Sequence, residues 1–91
     1  MADNSQHIEI TRKRLLWRAT HRGIKEMDIM VGGFAEAHLA GMSAAELDAF
    51  ARILELPDQQ LLSWATRQED VPAELRTPLF MAMITYRPET Q

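Results

Sequence analysis

With 91 residues, 46% of them apolar, the chain suits a single domain with a thin core. A chain this short buries only about 60–65% of its unfolded surface, which leaves little room for a deep catalytic cleft. It has no cysteine, which excludes disulfides, thiolate metal sites and cysteine nucleophiles and fits a reducing compartment. The net charge of −3 conceals a polarity: Arg12, Lys13, Arg14, Arg18, Arg22 and Lys25 give residues 11–25 a charge of +6 with no acid among them, while the remaining four basic and thirteen acidic residues leave the rest at −9.

The start, MADNSQHIEI, has neither the basic lead nor the apolar run of a signal peptide, and Asp3 and Glu9 argue against a mitochondrial transit sequence. Residues 1–7 are polar and are expected to be flexible. One helical domain is expected over residues 8–88, with a short tail at 89–91.

The first helix is expected from about Ile8 to Arg22, its core side formed by Leu15, Leu16 and Ala19, with Trp17 near the edge and Gly23 as the stop. A second helix runs from about Ile24 to Leu39. Ile24, Met27, Val31, Phe34, Ala35, His38 and Leu39 follow the spacing of one face. Gly32 and Gly33 interrupt it at about 1 kcal/mol each relative to alanine, and fit either close packing of another helix or a kink. The third helix has the clearest start: Ser43 followed by Glu46 is a capping box, and Leu47, Phe50, Ala51 and Leu54 form the stripe behind it. Asp58 can cap a short fourth helix carrying Leu61, Leu62, Trp64 and Ala65. After a loop and a possible turn at Pro72–Arg76, Thr77-Pro78 opens the last helix, a cap followed by proline at the first helical position. The whole reads as an all-α, compact five-helix bundle in one domain, with Val31, Phe34, Leu47, Phe50 and Leu54 in its core.

Chemistry finds little support. His7, His21 and His38 are not paired at metal-ligand spacing, and no HExxH is present. His38 fits a hydrogen-bonded core histidine better than a ligand. Ser5, Ser43 and Ser63 lack a nucleophile context, and no glycine-rich phosphate cradle exists. Neither catalytic nor metal-binding residues are expected. The positive signals are two. Arg14, Arg18, Arg22 and Lys25 fall at i, i+4, i+8 and i+11, a continuous basic stripe if the helix holds; it suits a solvated face, nucleic-acid phosphates or an acidic protein. The other is the heptad Arg22-Gly23-Ile24-Lys25-Glu26-Met27-Asp28. Gly23 can be a hinge, or can admit a partner's backbone. Arg22 offers a planar donor, Glu26 can hold that guanidinium or meet a donor on a partner, and Glu26 and Asp28 also suit a helix first turn.

This heptad, in its setting, resembles the signature of the succinate dehydrogenase flavinylation factors, also called FAD assembly factors. Their Arg-Gly-x-x-Glu motif is matched by Arg22, Gly23 and Glu26, followed by an acid at Asp28 and a phenylalanine at Phe34. A basic, tryptophan-containing helix precedes it from Arg12 to Arg22. Glu46 and Phe50 match a downstream acid–phenylalanine pair, and Asp58, Leu61, Leu62 and Trp64 match a later element approximately. Met27 stands where many relatives have leucine, Gly32-Gly33 replaces larger residues, and the C-terminal helix matches only in apolar character.

The resemblance implies a five-helix protein that binds the flavoprotein subunit of succinate dehydrogenase, in some relatives that of fumarate reductase. It promotes covalent attachment of FAD to a histidine of that client. The FAD then belongs to the client, and no cofactor is bound directly. The expected partner-binding residues are Arg22, Gly23, Glu26 and Asp28, with Arg18 and Lys25 from the basic stripe, and the motif residues are expected at the surface. The implied location is the bacterial cytoplasm, or the mitochondrial matrix in a eukaryote, with a monomer when free, no membrane insertion and no nucleic acid. Two other readings stand beside it: a small nucleic-acid-binding regulator using the basic helix, and an antitoxin-like inhibitor.

Overall fold

The computed structural model describes residues 4–88. Residues 1–3 of the expected flexible lead, and the whole of the 89–91 tail, lie outside the described residues. Within them are five α-helices and no strand: α1 (Asn4–Thr20), α2 (Lys25–His38), α3 (Ala44–Ile53), α4 (Asp58–Ala65) and α5 (Pro78–Ile84), with 3-10 turns at Leu39–Gly41 and Ala73–Leu75.

Helix α1 begins four residues before the expected start, and also ends earlier than Arg22. The Thr20 hydroxyl donates to the Leu16 carbonyl at 2.9 Å, and the His21 ring takes the Trp17 carbonyl at 2.8 Å. Side chains thus satisfy the last turn, and the chain turns away at His21. Helix α3 starts with the complete capping box. Ser43 Oγ accepts from the Glu46 N–H at 3.2 Å and the Glu46 carboxylate accepts from the Ser43 N–H at 2.8 Å. Thr77 caps α5 by accepting from the Phe80 N–H, with Pro78 at the first helical position. Asp58 is not a cap. Pro57 holds the cap position of α4 without a side-chain bond, and Asp58 lies inside the first turn, where its carboxylate is engaged elsewhere.

Helix α2 is central and packs against α1, α4 and α5. The core gathers Leu15 and Ala19 from α1, Met27, Met30, Val31, Phe34 and Ala35 from α2, Leu47, Phe50 and Ile53 from α3, Leu61 from α4 and Phe80, Met83 and Ile84 from α5. All five residues expected in the core are buried. His38 is not a core histidine. As the last residue of α2 it is exposed, and its ring packs from outside on Phe34 (4.7 Å between centroids) and edge-on to Tyr86.

The two mid-helix glycines are sites of close approach. A Cβ on Gly32 would lie 3.0 Å from Thr20 Cγ2 and 3.2 Å from both the Ala19 carbonyl and Thr20 Cα, so α1 rests directly on the α2 backbone there. A Cβ on Gly33 would meet side chains alone, the Tyr86 ring edge at 3.0 Å and Pro88 Cγ at 3.8 Å. The difference makes a prediction. Gly32→Ala has to push a helix backbone aside. It is expected to lose about 1 kcal/mol net, overpacking of about 1–3 kcal/mol set against the roughly 1 kcal/mol of helix propensity that alanine returns. Gly33→Ala meets a ring that can swing and should not lower the melting temperature. Paired thermal melts decide it, and equal melting of the two variants would contradict the close approach of α1.

Candidate functional site

The α1–α2 junction is built around Arg22. Its guanidinium donates from Nε to Asp58 Oδ1 at 2.7 Å, from Nη1 to the Leu54 carbonyl at 2.6 Å and from Nη2 to the Leu56 carbonyl at 2.8 Å. Leu54 ends α3 and Asp58 begins α4. The cation therefore sits where the negative end of α3 and a first-turn carboxylate of α4 meet, both favourable placements. The Arg22 backbone N–H donates to Asp58's counterpart on the other side of the junction, Asp28 Oδ1, at 2.5 Å. Arg22 thus ties the α1–α2 junction to the α3–α4 turn.

This corrects the expectation of a surface arginine: only 8% of the Arg22 side chain is exposed, and each of its three guanidinium nitrogens donates within the chain. Asp58, not Glu26, holds the guanidinium. The basic stripe is also broken, because α1 stops at Thr20, Arg22 turns inward and Lys25 belongs to α2. Arg12 is likewise engaged, donating to the Leu39 and Met42 carbonyls and pairing with Glu9 at 2.8 Å. Of the six bases in residues 11–25, Lys13, Arg14, Arg18 and Lys25 have no ion-pair partner among the described residues.

Gly23 is exposed and has φ +101°, a backbone conformation that side-chain-bearing residues rarely adopt. A Cβ there would meet nothing within 4 Å. The junction needs glycine for its backbone, and the space in front of it is open, so both roles expected of Gly23 coexist. Ile24 follows in extended conformation, and its carbonyl accepts from the Met27 and Asp28 amides of α2. Lys25 and Glu26 are exposed in that first turn, and the Glu26 carboxylate has no hydrogen-bond partner among the described residues. Asp28 is half-buried and serves the junction through Arg22. Glu26 also borders an apolar groove lined by Met27, Ile29, Met30, Leu62, Tyr86 and Pro88. Among the described residues, no three His, Asp or Glu side chains gather as a metal site would require.

A sequence profile of the family described as "flavinator of succinate dehydrogenase" matches residues 13–87, the α1–α2 junction included. The chain belongs to this family. It is 44% identical over 78 residues to the FAD assembly factor SdhE of Acetobacter pasteurianus, covering 86% of this chain and 72% of that one. It is 38% identical over 66 residues to the mitochondrial succinate dehydrogenase assembly factor 2 of Debaryomyces hansenii, and 41% over 64 residues to that of Scheffersomyces stipitis. Those matches cover 72% and 70% of this chain but only 46% and 43% of the yeast proteins, so the chain spans under half the length of these two relatives. No solved structure matches. No helix among the described residues is long and apolar enough to cross a membrane.

The residues that the motif brings together at the surface are Gly23, Lys25 and Glu26; Arg22 and Asp28 lie behind them as the frame. Sequence reasoning missed Arg22's partners, Asp58 and the Leu54 and Leu56 carbonyls, because they lie more than thirty positions away. The one available signal was Asp58 in the first turn after Pro57, a position where its carboxylate is not needed as a cap.

Proposed function

We propose that this chain is an assembly factor that binds the flavoprotein subunit of succinate dehydrogenase and promotes covalent attachment of FAD to it, without catalytic residues or a cofactor of its own. The family match across residues 13–87 carries the reading. The junction supports it, presenting an exposed glycine beside an unpaired carboxylate on a rigid frame. The partner surface is Gly23, Lys25 and Glu26, with Arg18 at its edge, while Arg22 and Asp28 set its shape. The chemistry is the client's. Holding the client so that its histidine and flavin meet is a role that orientation alone can fill, since alignment is worth about 7–11 kcal/mol at best. The free chain is a monomer, and its compartment is that of its client, cytoplasmic in a bacterium and the matrix in a mitochondrion.

The test is covalent flavin on the client, read by in-gel fluorescence in a strain lacking the wild-type chain. Glu26→Ala is expected to change stability by no more than about 1 kcal/mol, the scale of a first-turn carboxylate, yet to abolish flavinylation. Gly23→Arg is expected to abolish it too. The positive φ adds strain of about 1–3 kcal/mol for any side chain, so Gly23→Ala is the control. Alanine carries the same strain into open space, and should keep more flavinylation than arginine does. Full flavinylation with both Glu26→Ala and Gly23→Arg removes these residues from the partner surface. The purified chain is further expected to carry no flavin absorbance, and stoichiometric FAD retained through purification contradicts the proposal.

A further inference from the structure

Two of the three large apolar side chains exposed among the described residues, Ile10 (49%) and Trp17 (62%), lie on α1. They are seven residues apart, two helical turns, and so share one face, about 10 Å from each other along the axis. The core residues Leu15 and Ala19 lie on the opposite face. Between and beside the exposed pair stand Lys13 and Arg14, both exposed and with no ion-pair partner among the described residues. Singly exposed apolar residues need no explanation. An exposed tryptophan held in place by its neighbour is different. The His21 ring stacks on the Trp17 indole at 4.3 Å between centroids and 11° between planes. His21 Nδ1 lies 2.8 Å from the Trp17 carbonyl and 3.0 Å from Thr20 Oγ1, so the histidine is itself fixed. The carbonyl can only accept, which places the proton on Nδ1.

We infer that the outer face of α1, with Trp17 as its anchor and Ile10, Lys13 and Arg14 around it, is a second docking surface for the flavoprotein client, meeting an acidic, slotted region of it. This rests on the proposed function. Charge complementarity chooses an acidic occupant, because the face carries two cations with no ion-pair partner among the described residues, and the neighbouring acid, Glu9, is paired with Arg12 at 2.8 Å. Continuity chooses the client, because His21, stacked on Trp17, and Gly23 are both exposed and only two residues apart, so the face adjoins the surface proposed for the client. Pre-organisation suits the anchor role: a tryptophan already stacked in one rotamer loses less freedom when it enters a slot. Tryptophan and arginine are also the residues most often found to dominate interfaces.

The experiment titrates the full chain against the purified flavoprotein subunit, before its flavin is attached, with dissociation constants and association rates at two salt concentrations. Trp17→Ala is expected to weaken binding about tenfold or more with an unchanged thermal melt, and Trp17→Phe to recover part of it. Lys13→Glu with Arg14→Glu is expected to slow association and flatten its salt dependence. Two further arms use a single-stranded oligonucleotide and the chain alone at rising concentration. If wild type binds the client and Trp17→Ala binds it equally well, the α1 surface is wrong while the assembly-factor reading stands. If wild type does not bind the client, both fall. A Trp17-dependent affinity for the oligonucleotide, or Trp17-dependent self-association, with client binding unaltered by the variant, assigns the face to another occupant and overturns the inference.

Discussion

Phe50→Ala is expected to destabilise the protein by about 3–5 kcal/mol, the range for truncating a fully buried phenylalanine. Phe50 is the middle residue of the α3 stripe, has no exposed surface and packs at 6.0 Å on Phe34 of α2, itself in contact with Tyr86. Alanine would leave a void where α2 and α3 meet, and the helices around it cannot close on it without breaking other contacts. A domain of this size has a total stability of roughly 5–14 kcal/mol, so one such loss takes about a fifth of it or more. In denaturant melts the midpoint should fall sharply, and the melting temperature by more than about 12 °C. Phe50→Leu keeps most of the volume and should lose less than half as much. A loss below 1 kcal/mol for Phe50→Ala would mean that the α3 stripe does not hold the core.

The elements with local chemical signals were legible in the sequence. Ser43 and Glu46 are three apart and form both halves of their capping box; Thr77-Pro78 starts α5 where it should; Leu47, Phe50 and Leu54 face inward as their spacing requires. What escaped depends on residues far apart in the chain. Asp58 has the right type for a cap, but its carboxylate is drawn to a guanidinium 36 positions away. His38 has the right spacing for a core residue, but α2 ends on it. The basic stripe assumed a helix continuing through Arg22, whereas Thr20 and His21 close the helix with their own side chains. Arg12 and Arg22, two of the six clustered bases, cover carbonyls at helix ends rather than facing outward. The Gly32–Gly33 pair was legible as a close approach or a kink, and only the tertiary packing shows that α1 lies on the first and Tyr86 on the second.

The motif arginine offers the sharper test of how frame and partner surface divide. Arg22→Ala is expected to cost about 2–4 kcal/mol. It would leave the Asp58 carboxylate, 18% exposed, without its cation, and the Leu54 and Leu56 carbonyls without their donors. Breaking a fully buried pair costs about 3–5 kcal/mol. Water can reach part of Asp58, which lowers the figure. Arg22→Lys should recover little, because a single ammonium cannot serve three acceptors spread around a planar fork. A double-mutant cycle of Arg22→Ala with Asp58→Ala should return a coupling of about 1–3 kcal/mol, since removing both partners spares the orphaned charge. That coupling should change little with added salt, because a pair this shielded is screened far less than a surface one. Flavinylation is expected to fall with stability in Arg22→Ala, and to recover in part when the protein is assayed well below its lowered melting temperature. Glu26→Ala, on the surface, should show no such recovery. The opposite pattern, a melting temperature within about 4 °C of wild type with flavinylation lost at every temperature, would place the Arg22 guanidinium at the partner instead of the α3–α4 turn.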